Sequence, residues 1–272
     1  MVKRIESPSS INTFKQCPRK YYYQYIQKLP TLPSIHTLRG NITHSCLEYF
    51  YDLNIDSLNE DNFPQKLQEA VQKLLIEQWK KREPELKQLN LNTDQKQFYF
   101  EETMLMLMNW ASLFVEELKE TMEKKNLSLQ EAFIYLTPIR EQEYISDDYS
   151  VHGYIDAVNE LEEETQIVDY KTNSSLEIKD ELRLQLAIYS LLYFEKHKKM
   201  PSKAGIFFLR QRMKWIKVDE ELLEFAKREI NCVHSHTCCR DKKEDYPYKK
   251  GPLCKWSSGQ CDFYEICKLN WA

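Results

Sequence analysis

Hydrophobic spacing divides the chain into a helical first half, a strand-rich centre and a mixed C-terminal part. Ser9 and Ser10 precede Ile11, Phe14 and Tyr21, which predicts a helix capped at Ser9-Ser10 and running to Ile26, broken or kinked at Pro18. Pro30 and Pro33 mark a loop. Residues 37–53 predict a second helix with Leu38, Ile42, Cys46 or Leu47, and Phe50 near one face, and this helix carries His44. From 61 to 126 the pattern is helical and charge-rich, interrupted near Glu83-Pro84 and around Asn90-Leu91-Asn92. The stretch 55–135 therefore reads as a helical insertion. The methionines between Met104 and Met108 read as core filling.

After Pro138 the period shortens to two. Ile139 to Ile145, Tyr149 to Val158 and Thr165 to Thr172 read as strands separated by polar turns. A helix from Ile178 to Lys198 follows, then strands over Ala204 to Arg210 and Lys214 to Val218, and a last helix starting near Asp219. This order predicts an α/β fold with a central mixed β-sheet flanked by helices. There is no Gly-rich phosphate loop and no sustained repeat, so Walker-type nucleotide binding has no support.

Composition adjusts this picture in three ways. With 272 residues, five glycines, ten prolines and 29% charged residues, the chain reads as one folded domain over 1–272. The start Met1-Val2-Lys3-Arg4 has no signal-peptide core, and no window approaches the ~18 apolar residues of a membrane span, so a cytoplasmic, intracellular location without membrane contact is expected. The net charge of −4 argues against coating nucleic acid by bulk electrostatics. A local basic segment remains, in which Lys15, Arg19, Lys20 and Lys28 alternate with Tyr21, Tyr22, Tyr23 and Tyr25, a mixture suited to phosphate contact and base stacking.

The candidate chemistry lies in the strands. In Ile167-Val168-Asp169-Tyr170-Lys171, alternation puts Asp169 and Lys171 on one face and Val168 and Tyr170 on the other. A hairpin would bring Asp156, at the end of Gly153-Tyr154-Ile155-Asp156, beside Asp169. Two adjacent carboxylates repel unless a cation lies between them, and hard oxygen ligands select Mg²⁺ or Mn²⁺. Such an ion polarises a phosphodiester and activates water, while Lys171 would orient that water or stabilise charge on phosphate. A lone Asp-x-Lys on a strand is also what a solvated sheet face carries, and His44 alone reads equally as a core histidine. Glu143, on a predicted strand nearby, reads as a solvated carboxylate.

Eight cysteines in a reducing compartment point to metal or catalysis rather than disulfides. Cys254, Cys261 and Cys267 fall in a C-terminal segment with little apolar periodicity, which something other than a core must hold. Thiolates favour zinc or an iron–sulfur cluster, both of which commonly take four ligands. Cys232, Cys238 and Cys239, with His234 and His236, form a second group for which zinc and ordinary helix-end packing are both open.

Arg39-Gly40-Asn41-Ile42-Thr43-His44, Gly153-Tyr154-Ile155-Asp156, Asp169-Tyr170-Lys171 and Gln185 with Tyr189 occur in the order and rough spacing of the RecB-like branch of the PD-(D/E)XK nucleases, which this chain resembles. The resemblance implies a restriction-endonuclease-like core. It also implies that His44, Asp156, Asp169 and the backbone carbonyl of Tyr170 hold the metal, that Lys171 activates water, and that Gln185, Tyr189, Arg19 and Arg39 support the site or touch DNA. Cys17-Pro18-Arg19-Lys20-Tyr21 further resembles the iron–sulfur nucleases of this superfamily, which include the AddB subunit and the CRISPR-associated adaptation exonucleases. That resemblance implies a [4Fe–4S] cluster on Cys17, Cys254, Cys261 and Cys267, with the 232–272 segment packed on the N-terminal helix. The family's closing cysteines often stand two residues apart, whereas six residues separate Cys254 from Cys261 here.

These readings together give the expectation of a metal-dependent DNA exonuclease acting on single-stranded ends, in repair, phage replication or CRISPR adaptation. One alternative is a nuclease gated by a helicase or CRISPR integration partner; another is a non-catalytic DNA-binding scaffold, against which the intact Asp156, Asp169 and Lys171 argue.

Overall fold

Five strands form one mixed sheet in the order β1-β2-β3-β4-β5: Ile139–Ser146, Val151–Glu160, Thr165–Lys171, Lys203–Phe208 and Met213–Lys217. β1, β2 and β3 form an antiparallel meander, β3 and β4 are parallel, and β4 and β5 form a hairpin. The parallel pair needs a crossover, which α8 (Asp180–His197) supplies. The computed structural model describes residues 4–162, 164–173, 177–257 and 259–269.

One face of the sheet is covered by α1 (Pro8–Gln16), α8 and α9 (Glu220–Thr237), whose apolar residues join Ile155, Val158, Ile167 and Ile206 in one core. α8 buries residues almost all round, including Leu184, Leu186, Ala187, Ile188 and Leu191. A helix sandwiched between a sheet and another helix requires that pattern. The opposite face meets α3 (Ile35–Phe50), α4 (Phe63–Lys81), α6 (Thr93–Lys125) and α7 (Leu129–Leu136) around the aromatic set Phe50, Trp110, Phe114 and Phe133. The helices of the 55–135 stretch, with the short α5 (Glu83–Gln88) among them, thus share a core with α3 and with Ala157, Val168 and Tyr170 of the sheet. No helix among the described residues is long and apolar enough to cross a membrane.

The N-terminal region differs from its sequence reading. Ser7 caps α1, in a reciprocal box with Ser10, because Pro8 suits the first helical position. Cys17 is extended (φ −159°, ψ 111°) and separates α1 from a short α2 (Pro18–Tyr21), which runs into a π-helical turn at Tyr22–Ile26. Tyr21, Tyr22 and Tyr23 are buried around Tyr246 and Phe263. They are core residues, so they are not the base-stacking surface expected from the sequence. This aromatic cluster also gives the C-terminal segment a small core of its own, which its weak periodicity concealed. The segment adds a two-strand ribbon, β6 (Lys255–Trp256) with β7 (Gly259–Gln260), and a last short helix α10 (Tyr264–Lys268).

Candidate active site

β1 and β2 pair on either side of Glu141 and Asp156 but not through them. The sheet changes faces at this interruption. Tyr144 and Ile155 pack toward α8, whereas Arg140 reaches α3, where its guanidinium donates to the Glu48 carbonyl and to Asp52, and Ala157 joins the α3 core. Glu141 sits in the left-handed region at φ 45°, where a residue with a Cβ is strained. The paired bulge turns both carboxylates toward His44 on α3.

The ligand atoms of His44, Glu141 and Asp156 all lie within 4.8 Å of one another. His44 Nδ1 is 3.4 Å from Asp156 Oδ1 and 3.5 Å from Glu141 Oε1, while Nε2 is 3.2 Å from the Tyr170 carbonyl oxygen. Burial opposes a charge on this imidazole, but its bonds to the Asp156 and Glu141 carboxylates outweigh burial and raise its pKa to about 10. Metal-free, the protonated ring is the cation among the acids.

Where β2 and β3 stop pairing, the Tyr170 N–H donates to Asp156 Oδ2 at 2.7 Å, so a side chain completes the ladder. Asp169 is 1% exposed on the adjoining strand, outside the group of three. Its Oδ1 accepts from Gln185 Nε2 at 2.9 Å, and that amide also donates to Tyr189 Oη at 2.9 Å. Lys171 Nζ forms an ion pair with the buried Asp169 Oδ2 at 2.7 Å. Burial raises the Asp169 pKa; Lys171 opposes the rise and Asp156 adds to it. Burial works against the charge on Lys171 as well, but Asp169 and Asp156 raise its pKa above the ordinary value, so it remains a cation.

This donor set fits a hard divalent ion, with two carboxylates, one imidazole and a backbone carbonyl brought together. The cleft, about 630 Å³, is walled by Gly40, Asn41, His44, Glu141, Lys171 and Thr172. Glu141 was missed in the sequence because uninterrupted alternation gives it no special face. The signal was Ile155-Asp156-Ala157-Val158, where apolar residues three apart break the period of two. Glu143, on the same strand, pairs with His152 at 3.1 Å at a half-exposed position.

Tyr189 packs its ring over β2 at Gly153, where a Cβ would come within 2.8 Å of it. Arg39 is buried, and its Nη1 donates to Glu102 at 2.7 Å. Arg19 is a correction to the DNA-contact reading: it is buried, and its Nε donates to the Tyr246 carbonyl at 2.7 Å, tying α2 to the C-terminal segment.

Cys17, Cys254, Cys261 and Cys267 line one cavity of about 40 Å³, with Tyr23 and Phe263 in its wall. The Lys249 N–H lies 3.5 Å from Cys17 Sγ, and the Cys254 thiol donates to the Lys249 carbonyl. Among the described residues, no three of these thiols have their sulfurs all within 4.8 Å of one another. In the second cysteine group, His234 turns inward to the Tyr149 carbonyl at 2.8 Å, and His236 bonds the Cys232 carbonyl of its own helix. Neither histidine is directed at Cys238 and Cys239, whose sulfurs are 3.4 Å apart. Cys46 is buried in the core, where desolvation pushes its thiol up to about 12.

A mixed sheet flanked by helices, with paired acids and a lysine where its strands part, is a restriction-endonuclease-like fold. A family model described as "PD-(D/E)XK nuclease superfamily" matches residues 6–268, and the chain belongs to that superfamily, whose members use divalent metals. No curated protein matches. A crystal structure from Eubacterium rectale, named "Putative exonuclease", is similar in fold with a TM-score of 0.52 and 13% identity, over 99% of this chain and 89% of that one.

Proposed function

We propose that this nuclease is a DNA exonuclease that acts from single-stranded ends with Mg²⁺ or Mn²⁺. The observation that carries the reading is the convergence of His44, Glu141, Asp156 and the Tyr170 carbonyl in a cleft that Lys171 also lines. His44, Asp156, Glu141 and Tyr170, with Asp169 beside them, would hold the ion, which supplies Lewis acidity and a lowered water pKa. Lys171, a cation held by Asp169, stabilises negative charge developing on the phosphate and orients the attacking water. Gln185 fixes Asp169 for that task, and Tyr189 fixes Gln185.

Support for single strands comes from a different surface than the tyrosines. A groove of about 610 Å³ at the start of α3 is lined by Lys20, His36, Gln260 and the half-exposed ring of Trp256. An aromatic face beside a cation is the pairing that single-stranded nucleic acid uses. The four cysteines around one cavity support a [4Fe–4S] cluster that crosslinks the two ends of the chain.

The test is cleavage of linear single-stranded, linear double-stranded and circular single-stranded DNA, labelled at either end, with Mn²⁺ or with chelator. Mononucleotide or short products from linear single strands, and survival of circles, are expected. Equal cutting of circles would overturn the exonuclease reading. Visible absorption that dithionite bleaches, absent from Cys261→Ser, is expected for the cluster; a colourless protein with stoichiometric zinc would contradict it.

A further inference from the structure

The inserted helix α6 reaches the site through one carboxylate. Glu102 accepts from Arg39 Nη1 at 2.7 Å and from Arg210 Nη1 and Nη2 at 2.7 and 3.0 Å. Arg39 belongs to α3, upstream of His44, and lies over the Tyr99 ring of α6 at 5.5 Å. Arg210 belongs to the turn between β4 and β5. Its Nε donates to the Thr172 carbonyl at 3.4 Å, just past Lys171, and the neighbouring Leu209 N–H donates to the Lys171 carbonyl at 3.0 Å.

Glu102 thereby grips both elements between which the metal-holding group is assembled. On one side is the helix that places the His44 imidazole; on the other is the end of β3, which places the Tyr170 carbonyl 3.2 Å from that imidazole. The joint is stiff for three reasons. The Arg210 fork is bidentate, which fixes direction as well as distance. Arg39 is 4% exposed, so its guanidinium depends on protein acceptors such as Glu102 rather than on bulk water. The hydrogen bonds from Arg210, then Arg39, hold the Glu102 carboxyl below its ordinary range despite partial burial, so it stays charged.

We infer that Glu102 is a positioning residue: by bridging Arg39 and Arg210 it sets the separation of α3 from the end of β3, and with it the affinity of the His44 group for a divalent ion. The inference rests on the metal reading above. It gives the inserted helices a part in the chemistry although they contribute no ligand. Asn109, farther along α6, supplies an internal control, because its Nδ2 donates to the Leu209 and Gln211 carbonyls of the same turn and touches neither arginine.

The experiment is a Mn²⁺ titration, followed by electron paramagnetic resonance of the free ion, of the full-length wild type, Glu102→Gln, Arg210→Met, Asn109→Ala and Asp156→Ala, with thermal midpoints in chelator. Glu102→Gln is expected to weaken Mn²⁺ binding by about 10-fold or more, the range for groups that orient ligands. Arg210→Met should lose affinity in the same direction and less, because Arg39 still holds Glu102. Raising Mn²⁺ should restore the cleavage rate of Glu102→Gln. Unchanged affinity in Glu102→Gln, or in Arg210→Met should Glu102→Gln fail to fold, would overturn the inference. So would an equal loss in Asn109→Ala, which would show general loosening of α6. Absence of binding by wild type, or full binding by Asp156→Ala, would instead overturn the metal reading.

Discussion

Asp156 accepts the Tyr170 N–H at 2.7 Å across the point where β2 and β3 cease to pair. The carboxylate therefore has two duties, closing a gap in the sheet and contributing charge to the cleft. Asp156→Asn retains an acceptor for Tyr170 and separates them. It is expected to keep its thermal midpoint in chelator yet lose cleavage by at least about a hundredfold, the scale for removing one electrostatic group from a nuclease centre. Asp156→Ala should in addition lose about 1–3 kcal/mol of stability, as an unpaired amide is left behind. Urea unfolding of both variants measures the difference.

The His44 charge gives a pH dependence with a definite sign. Its pKa rises from 6.5 to about 10 in the metal-free protein, with burial opposing and the Asp156 and Glu141 bonds prevailing. A raised folded-state value means that the stabilisation is fully present below 6.5 and is lost as pH climbs through about 10. Metal ligation needs the neutral ring, so Mn²⁺ must displace a proton. Affinity is expected to rise with pH over that window. Calorimetry in buffers of different ionisation enthalpy should find proton release in wild type that is lost in His44→Ala.

Gly40 faces the cleft from within α3, and a Cβ there would meet nothing in the protein. Packing does not require glycine, and the helix is weakened by it. Gly40→Ala is expected to stabilise the fold by about 0.5–1 kcal/mol. If substrate backbone passes over this position, KM for DNA rises in the same variant and further in Gly40→Val, with Mn²⁺ affinity unchanged.

Gly153 is glycine for the opposite reason. A Cβ at this position would come within 2.8 Å of the Tyr189 ring and 3.2 Å of Leu192. Gly153→Ala is expected to cost about 1–3 kcal/mol by overpacking. Because Tyr189 positions Gln185, and Gln185 positions Asp169, kcat should fall as well. Gly153→Ala combined with Tyr189→Leu, which frees the space, should recover stability without recovering kcat.

The sheet was legible because its signals are local: alternation located all five strands of the central sheet within about two residues, and Asp219 marked the start of α9. The features that escaped depend on three-dimensional closure. Period-two reasoning cannot anticipate the paired bulge that turns Glu141 toward His44. Tyr21, Tyr22 and Tyr23 read as a binding surface because their partner Tyr246 is remote in sequence, and only folding shows that the C-terminal segment buries them. The Arg39–Glu102–Arg210 bridge joins three segments distant in sequence, which no local pattern marks.

The central claim is that the Asp156, Asp169 and Lys171 centre cleaves DNA. It is tested most directly by the rate of Mn²⁺-dependent release from end-labelled single-stranded DNA by wild type, Asp169→Ala and Lys171→Ala. Release by wild type that chelator stops, and near-background rates in both variants with folds intact by circular dichroism, is the result expected. Degradation at the wild-type rate by either variant would contradict the account.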